Sequence, residues 1–488
     1  MAEDGLSRFK IGAFSLPAMP ISALGLPLTV FLPPFFSSPG MGLTLSQVGL
    51  IFMLARFWDV FTDPVLGTVS DEISSRWGRR RHWIVVATPI LMLSTYMLFM
   101  PTAPITPLYL VSWLFILYVG WTLVTISHMS WGAELSPDYD KRSVIQGGRE
   151  AALILGMLLV LVLPAIVEQT TEGATQAEKV APMGWFIILS LPVTVAIAVF
   201  FVGEQPQTNG HGGPKRSVRE MAGKVFQTFL EIARTVRDNR MIRLVLIADV
   251  LASGAPAITG ALYLFFAKYV MELPSSANLL LLVYFATGFL GVPLWTRLSH
   301  WSGKHKALAF AMIYGALSLP LVVFFPRGEF WFLFAGNSLY GVAFGASSFL
   351  LRSIMADVTD YDYLKSGERR TGLYYSLLTM TAKVSGALAV GVTYPILQLI
   401  GFVPEIGANS AQTLDYLLYL YVGLPALFMA GAAYVIWSFP LGRAAQEDLR
   451  RRIIERDGHG TAGNTLAEAE AAVVQVGSAG SIADRPAD

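Results

Sequence analysis

The chain has 488 residues, 54% of them hydrophobic and only 14% charged, with a mean hydropathy of +0.55. Soluble domains carry roughly 25% charged residues, so this composition excludes an ordinary soluble protein and points to a polytopic membrane protein. A formal net charge of +1 with no dense basic tract gives no reason to expect nucleic acid as a partner, and the absence of cysteine excludes disulfides and Cys-based metal sites or nucleophiles.

Apolar windows of bilayer-spanning length fall near 11–36, 46–70, 83–101, 107–135, 144–168 and 183–202, then 241–270, 276–299, 306–325, 329–357, 371–398 and 415–440. The first lacks a short apolar core followed by a small-residue cleavage site, so it reads as a retained span and not a signal peptide. Its prolines Pro17, Pro20, Pro27, Pro33 and Pro34 should bend it, letting it line a cavity without exposing unsatisfied backbone to lipid.

The second span holds Ala55-Arg-Phe-Trp-Asp-Val-Phe-Thr-Asp-Pro64. Asp59 and Asp63 are one turn apart and Arg56 precedes Asp59 by a turn, so all three share a helix face. A charge near the bilayer centre costs on the order of 2.5–3.5 kcal/mol on insertion scales, so such residues face a bundle interior or an ion or substrate path. A packing salt bridge would account for Arg56 and one acid; the other still needs a cation, a proton or another base.

A polar linker, about 203–240, opens with Asn209-Gly-His-Gly-Gly-Pro214 and continues with Val218, Met221, Val225, Phe229, Ile232 and Val236 at helical spacing. It predicts an amphipathic surface helix joining residues 1–202 to 241–442, each a six-helix unit. The stretch 443–488 reads as a short helix fraying into a disordered tail.

Lys and Arg concentrate on one set of connections: Arg76, Arg79, Arg80 and Arg81; Lys141 and Arg142; eight residues from Lys215 to Arg243; Arg297, Lys304 and Lys306; and Lys365, Arg369 and Arg370. The opposite connections carry chiefly Lys179 and Arg327. The positive-inside rule then puts both termini in the cytoplasm, with the chain in the cell inner membrane.

Internal repetition is the second strong signal. Pro64-Val-Leu-Gly-Thr-Val-Ser70 and Trp77-Gly-Arg-Arg-Arg81 echo in Pro293-Leu-Trp-Thr-Arg-Leu-Ser299 and Ser302-Gly-Lys-His-Lys306, and Ala133-Glu-Leu-Ser136 echoes in Ala356-Asp-Val-Thr359. Gly288 and Val292 stand at the positions of Asp59 and Asp63, so the carboxylate pair belongs to one half. The expected fold class is an all-α membrane protein with twelve transmembrane helices in two pseudo-symmetric six-helix bundles, the major facilitator arrangement, whose substrates bind between the halves.

Arg56-x-x-Asp59-x-x-x-Asp63-Pro64-x-x-Gly67, followed by Arg76-Trp-Gly-Arg-Arg80, resembles the helix II signature of the glycoside–pentoside–hexuronide cation symporters. Ala133-Glu-Leu-Ser-Pro-Asp-Tyr139 and Ala356-Asp-Val-Thr-Asp-Tyr361 resemble two more signatures, and similarity extends from about residue 8 to 440. The resemblance implies that Asp59 and Asp63 hold the coupling cation. Thr62 stands at a family asparagine ligand, and Thr122 at a helix IV threonine of that site. Lys383, deep in an apolar span, matches a helix XI lysine near the acids. Oxygen ligands suit Na+, and a carboxylate pair suits H+ equally. No further cofactor is implied.

At the two positions where galactoside carriers of the family present aspartates, helix I has no acid and helix IV has Thr125. The remaining cavity candidates are Trp58, Trp121, Thr125, His128, Trp131, Arg149, Asp249 and Tyr375, offering stacking faces, hydroxyls and a cationic group for an anionic solute. The Trp residues read equally as interface anchors, and His128 as a satisfied polar residue. A gate at the basic end is expected from Asp71, Arg142, Asp357 and Asp360, with Asp357 and Asp360 closing helix X.

The expected function is cation-coupled symport of a sugar or glycoside by alternating access, in a monomer embedded in the bilayer. The in-class rival is an amphipathic or anionic solute such as a lysolipid. Rivals from other classes are an integral-membrane enzyme, against which no companion cluster at metal-ligand spacing and no soluble catalytic domain is found, and a non-transporting sensor.

Overall fold

The computed structural model describes residues 7–73, 75, 77–136, 139–204, 223, 227, 230, 233–367, 370–442, 445–449, 451–453 and 455, with backbone alone at 71, 72, 139, 140 and 143. Twelve helices among the described residues are long and apolar enough to cross a membrane: α1 Arg8–Phe36, α2 Leu45–Ser70, α3 Arg81–Phe99, α4 Pro107–Glu134, α5 Val144–Thr170, α6 Gln176–Phe201, α7 Arg240–Val270, α8 Ala277–Ser302, α9 Lys304–Phe324, α10 Phe330–Ser366, α11 Thr371–Leu399 and α12 Ala411–Trp437.

Packing repeats with a period of six helices. In the first half α1 packs on α5, α2 on α4, and α3 on α4 and α6; in the second α7 packs on α11, α8 on α10, and α9 on α10 and α12. The halves join where α2 packs along α11 and α5 along α8, again related by six. This is the two-bundle, pseudo-symmetric architecture that the sequence repeat predicts.

Proline decides the course of α1. It runs helically over Arg8–Ser15 and Ala18–Ala23, shifts to a π-helical register over Pro27–Phe31, and resumes over Leu32–Phe36. Each proline removes a donor and crowds the preceding turn, so the helix is broken where the prolines fall. The Ser22 hydroxyl donates to Leu153 O at 2.7 Å, tying α1 to α5.

Helix ends differ from the hydropathy windows because caps are polar. α6 begins seven residues before the expected 183, at a capping box in which Thr175 Oγ1 accepts from Glu178 N (3.3 Å) and Glu178 Oε2 accepts from Thr175 N (2.7 Å). α10 does not close near Asp357 and Asp360. It continues to Ser366 and stops at Gly367, whose φ of 78° is left-handed.

The repeat also shows in the basic connections. Gly78 (φ +113°) and Gly303 (φ +89°) each turn the chain after the second and eighth helices. The next residues bind the repeat-related acids: Arg79 Nη2 and Arg80 Nη2 lie 2.5 and 3.0 Å from Glu134 Oε1, and Lys304 Nζ lies 2.8 Å from Asp357 Oδ1. Of the amphipathic linker, Val218, Met221, Val225, Phe229 and Ile232 lie outside the described residues. The last turns, 233–238, are helical, and Val236 packs against the core. In the tail, 445–449 is helical and Leu449 buried, and the expected fraying falls beyond the described residues.

Candidate functional site

Lys383 on α11 reaches across to α2 and sits between the two acids. Its Nζ lies 2.8 Å from Asp59 Oδ2 and donates to Asp63 Oδ2 at 2.5 Å. Thr122 on α4 lies 3.0 Å from Asp59 Oδ1 and 2.9 Å from Asp63 Oδ1, so its single hydroxyl proton serves one carboxylate at a time. Arg56 Nη1 completes the cluster 3.6 Å from Asp59 Oδ2. Two acids and two bases leave it formally neutral, which is how α2 carries this many charges inside the fold.

Accessibility is uneven. The Asp59 side chain is 2% exposed, whereas Asp63 is 28% and Lys383 19% exposed. Asp63 and Lys383 are therefore the accessible members of the cluster. The oxygens turned towards one another belong to Asp59, Asp63 and Thr122, a hard donor set suited to Na+ or to a proton. Thr62 is not part of it: its hydroxyl donates to Asp59 O at 3.3 Å, back into its own helix. The sequence reading missed Tyr118, whose hydroxyl accepts from Arg56 Nη1 at 3.4 Å and whose ring lies 5.4 Å beneath the guanidinium. Its position one turn before Thr122 was the available signal.

The cavity candidates divide. Trp121 lies 5.7 Å beneath the Arg56 guanidinium and donates from Nε1 to Ile21 O at 3.1 Å, bracing α1. Trp58 lies elsewhere, on the exposed apolar stripe Leu54, Trp58, Phe61 and Val65, stacked on Phe115 at 4.9 Å. That stripe is turned away from Asp59 by the helical period, so Trp58 reads as lipid-facing and not as a substrate platform. His128 is fully buried, with Nε2 2.7 Å from Phe14 O and its ring stacked on Phe14 at 4.4 Å; Trp131 meets Phe14 edge-on at 5.5 Å. The carbonyl can only accept, so Nε2 carries the proton and Nδ1 is left as an acceptor.

Thr125 Oγ1, His128 Nδ1, Trp131 Nε1 and Arg149 Nε are all buried without a hydrogen-bond partner, an unusual concentration on α4 and α5. Arg149 Nη1 lies 3.2 Å from Glu150 Oε1. Asp249 on α7 accepts from Thr381 Oγ1 on α11 (2.5 Å) and Ser253 Oγ (3.2 Å), so it is satisfied within the second half. Tyr375 donates to Arg352 O at 3.1 Å. Arg352, which the sequence reading missed, lies near enough to Arg149 and Asp249 to interact with both electrostatically.

At the basic end the expected partners are arranged differently. Asp357 takes Lys304 on both carboxylate oxygens at 2.8 Å, and Arg142 Nε donates to Ser136 O at 2.6 Å. The connection after α8 brings Lys304 to Asp357 within one bundle, which the linear spacing did not reveal. Asp360 lies within α10 near Tyr375, and the Asp71 side chain lies outside what is described.

With this geometry in view, similarity to known proteins is informative. The chain is 23% identical to the glucuronide carrier protein homolog of Escherichia coli (strain K12), covering 82% of this chain and 85% of that one. It is 23% identical to the isoprimeverose transporter of Lactiplantibacillus pentosus, covering 80% of each. Among solved structures, the nucleoside transporter NupG superposes with a TM-score of 0.63 at 13% identity, over 88% of this chain and 100% of that one, which speaks to fold alone. The family described as MFS/sugar transport protein matches residues 13–443, and on that span the chain belongs to it, as a membrane-embedded secondary transporter of the glycoside–pentoside–hexuronide symporter type.

Proposed function

We propose that the protein couples uptake of a sugar or glycoside to a cation, Na+ or H+, through Asp59 and Asp63. The observation that carries this reading is the Lys383 ammonium held between both carboxylates. Two carboxylates one turn apart repel, so the pair is stable with the ammonium, a cation or a shared proton, and these states compete. A cation entering by Asp63 displaces Lys383 and loosens α11 from α2. Solute binding and cation binding then strengthen each other by the same factor.

In this reading the halves are the units 1–202 and 241–442, joined by 203–240. The basic end faces the cytoplasm, both termini lie there in the inner membrane, and the monomer is the working unit. Solute contacts come from Trp121, Thr125, His128, Trp131 and Arg149, and the unpartnered polar atoms of the last four call for hydroxyl-rich ligands. Helices α1 and α4 supply no carboxylate to the solute. One observation favours a second reading, an anionic solute: Arg149 and Arg352 approach from opposite halves closely enough to repel, and a shared acid group would relieve that.

The test is solute accumulation in proteoliposomes under an imposed Na+ or pH gradient. Asp59→Asn and Asp63→Asn should fold, lose concentrative uptake by about a hundredfold or more, and retain downhill exchange. Intact cation-driven accumulation in both variants would make the pair structural.

A further inference from the structure

We infer a second solute site in the α7–α12 half, a cavity of about 200 Å³ that takes one neutral, hydroxyl-bearing ring. It is closed by Thr29 and Val30 of α1 and lined chiefly by Tyr263, Tyr284, Tyr340 and Tyr421 with Asn337. None of its lining residues is an acid, a lysine or an arginine, and the Asp59–Asp63–Lys383 cluster is not among them. It lies in the portions of α1 and α7 remote from the basic end.

Its polar groups are arranged for a guest. Asn337 Nδ2 donates to Tyr263 Oη at 2.9 Å and to Leu280 O at 2.9 Å, committing both amide hydrogens and leaving the Tyr263 proton free to point elsewhere. The Tyr284 hydroxyl is buried with no hydrogen bond of sound geometry, its neighbours being Tyr340 and Thr259. A buried hydroxyl without a partner is costly, and a ligand hydroxyl placed there would satisfy it.

The walls select shape. Tyr284 stacks on Tyr340 at 5.4 Å, and Phe285 meets Phe344 edge-on at 5.2 Å. Aromatic faces suit the C–H face of a sugar ring, and phenols suit its rim. The volume falls below the about 300–1,000 Å³ of drug-sized pockets, so the occupant is a single ring. A charged group would be desolvated here without a partner, so an acid carried by the solute must lie outside this cavity. The site serves as a station between the closed end and the Lys383 cluster.

This inference rests on the proposal that the protein carries sugars, and the experiment separates the two. The full-length protein is tested in detergent for binding of methyl glucoside, methyl galactoside and methyl xyloside by thermal shift and calorimetry. Cation-driven uptake of the same compounds is measured in proteoliposomes. At least one should stabilise the wild type and be taken up. Tyr284→Phe, which removes only the hydroxyl, and Ala257→Leu, which fills the cavity, should each weaken its binding at least tenfold while circular dichroism stays native. If the wild type binds and transports a pyranoside and both folded variants bind it unchanged, the cavity holds water only and the inference falls while the transport proposal stands. If no pyranoside binds or is taken up by the wild type, both fall.

Discussion

At the end remote from the basic connections the two halves are bonded to each other, whereas among the described residues at the basic end Glu134 pairs with Arg79 and Arg80, and Asp357 with Lys304, inside one half. Glu168 of α5 accepts from Asn278 N (2.8 Å) and Asn278 Nδ2 (3.0 Å) at the start of α8, and from Lys179 Nζ of α6 at 2.7 Å. Gln169 Nε2 donates to Ser275 O at 2.8 Å, and Ser46 N to Gln398 Oε1 at 2.8 Å. Glycines let the backbones approach: a Cβ on Gly49 would fall 2.7 Å from Tyr394 Cβ, and one on Gly391 2.6 Å from Met53 Cβ. The remote seam is therefore sealed by buried charge and close packing. The pairs described at the basic end hold each connection to its own bundle. Between the two ends lies Lys383, the charged link from α11 to α2.

The strongest way to break this arrangement is at its centre. Lys383→Ala leaves two carboxylates facing each other with Arg56 alone, and stability should drop by on the order of 3 kcal/mol, the scale of breaking a buried pair. Thermal unfolding in detergent should show the loss, Na+ or low pH should restore it, and Lys383→Ala with Asp63→Asn should recover most of it. A loss that neither cation nor the second substitution repairs would remove Lys383 from the competition.

Glu168→Gln attacks the remote seam. It leaves Lys179 buried beside an uncharged amide, and should cost the closed state about 2 kcal/mol, roughly a 30-fold population shift towards opening at that end. Because the chain has no cysteine, a single Cys introduced at the fully buried Ala277, beside Asn278, reports that opening by its rate of thiol labelling. Unchanged labelling would show that packing alone holds the seam.

Gly391→Ala tests the packing component. The new methyl would fall 2.6 Å from Met53 Cβ, which is fixed to the α2 backbone, so α2 and α11 must shift apart and the cost should be about 1–3 kcal/mol. Labelling at the same Ala277 position should rise several-fold. No rise would assign the seam to Glu168 and its partners.

The smallest effect is expected at the basic end. Arg142→Ala removes an exposed group bonded to Ser136 O, so the equilibrium should move by about 0–1 kcal/mol, favouring the state open at the basic end. A thiol introduced at Ser376 and labelled from the basic side reads this out. A shift as large as that of Glu168→Gln would erase the contrast between the two ends.

Much of this was legible in the sequence because the bilayer makes it so. Apolar length counts helices, and a charge inside an apolar run must have a reason, so Asp59, Asp63 and Lys383 stood out before any geometry was known. The helical period put the acids on one face. Residues without charge gave no comparable signal: Tyr118 reads as one more aromatic in an apolar helix, and the Tyr284 and Asn337 cavity as ordinary span composition.

What the sequence determined by itself is therefore the twelve spans, the duplication, the one-sided carboxylate pair and the family. The tertiary structure alone decided which groups meet: that Lys383 spans both acids, that Thr62 turns back to its own helix, that Trp58 lies on the exposed stripe, that Asp357 takes Lys304, and that Glu168 crosses to α8. The physical reason is the range of the interactions. Burial in a bilayer and helical periodicity act within about 20 residues of chain and leave a pattern in it. A partner tens to hundreds of residues away is chosen by how helices and bundles dock, and the sequence carries no local mark of that choice.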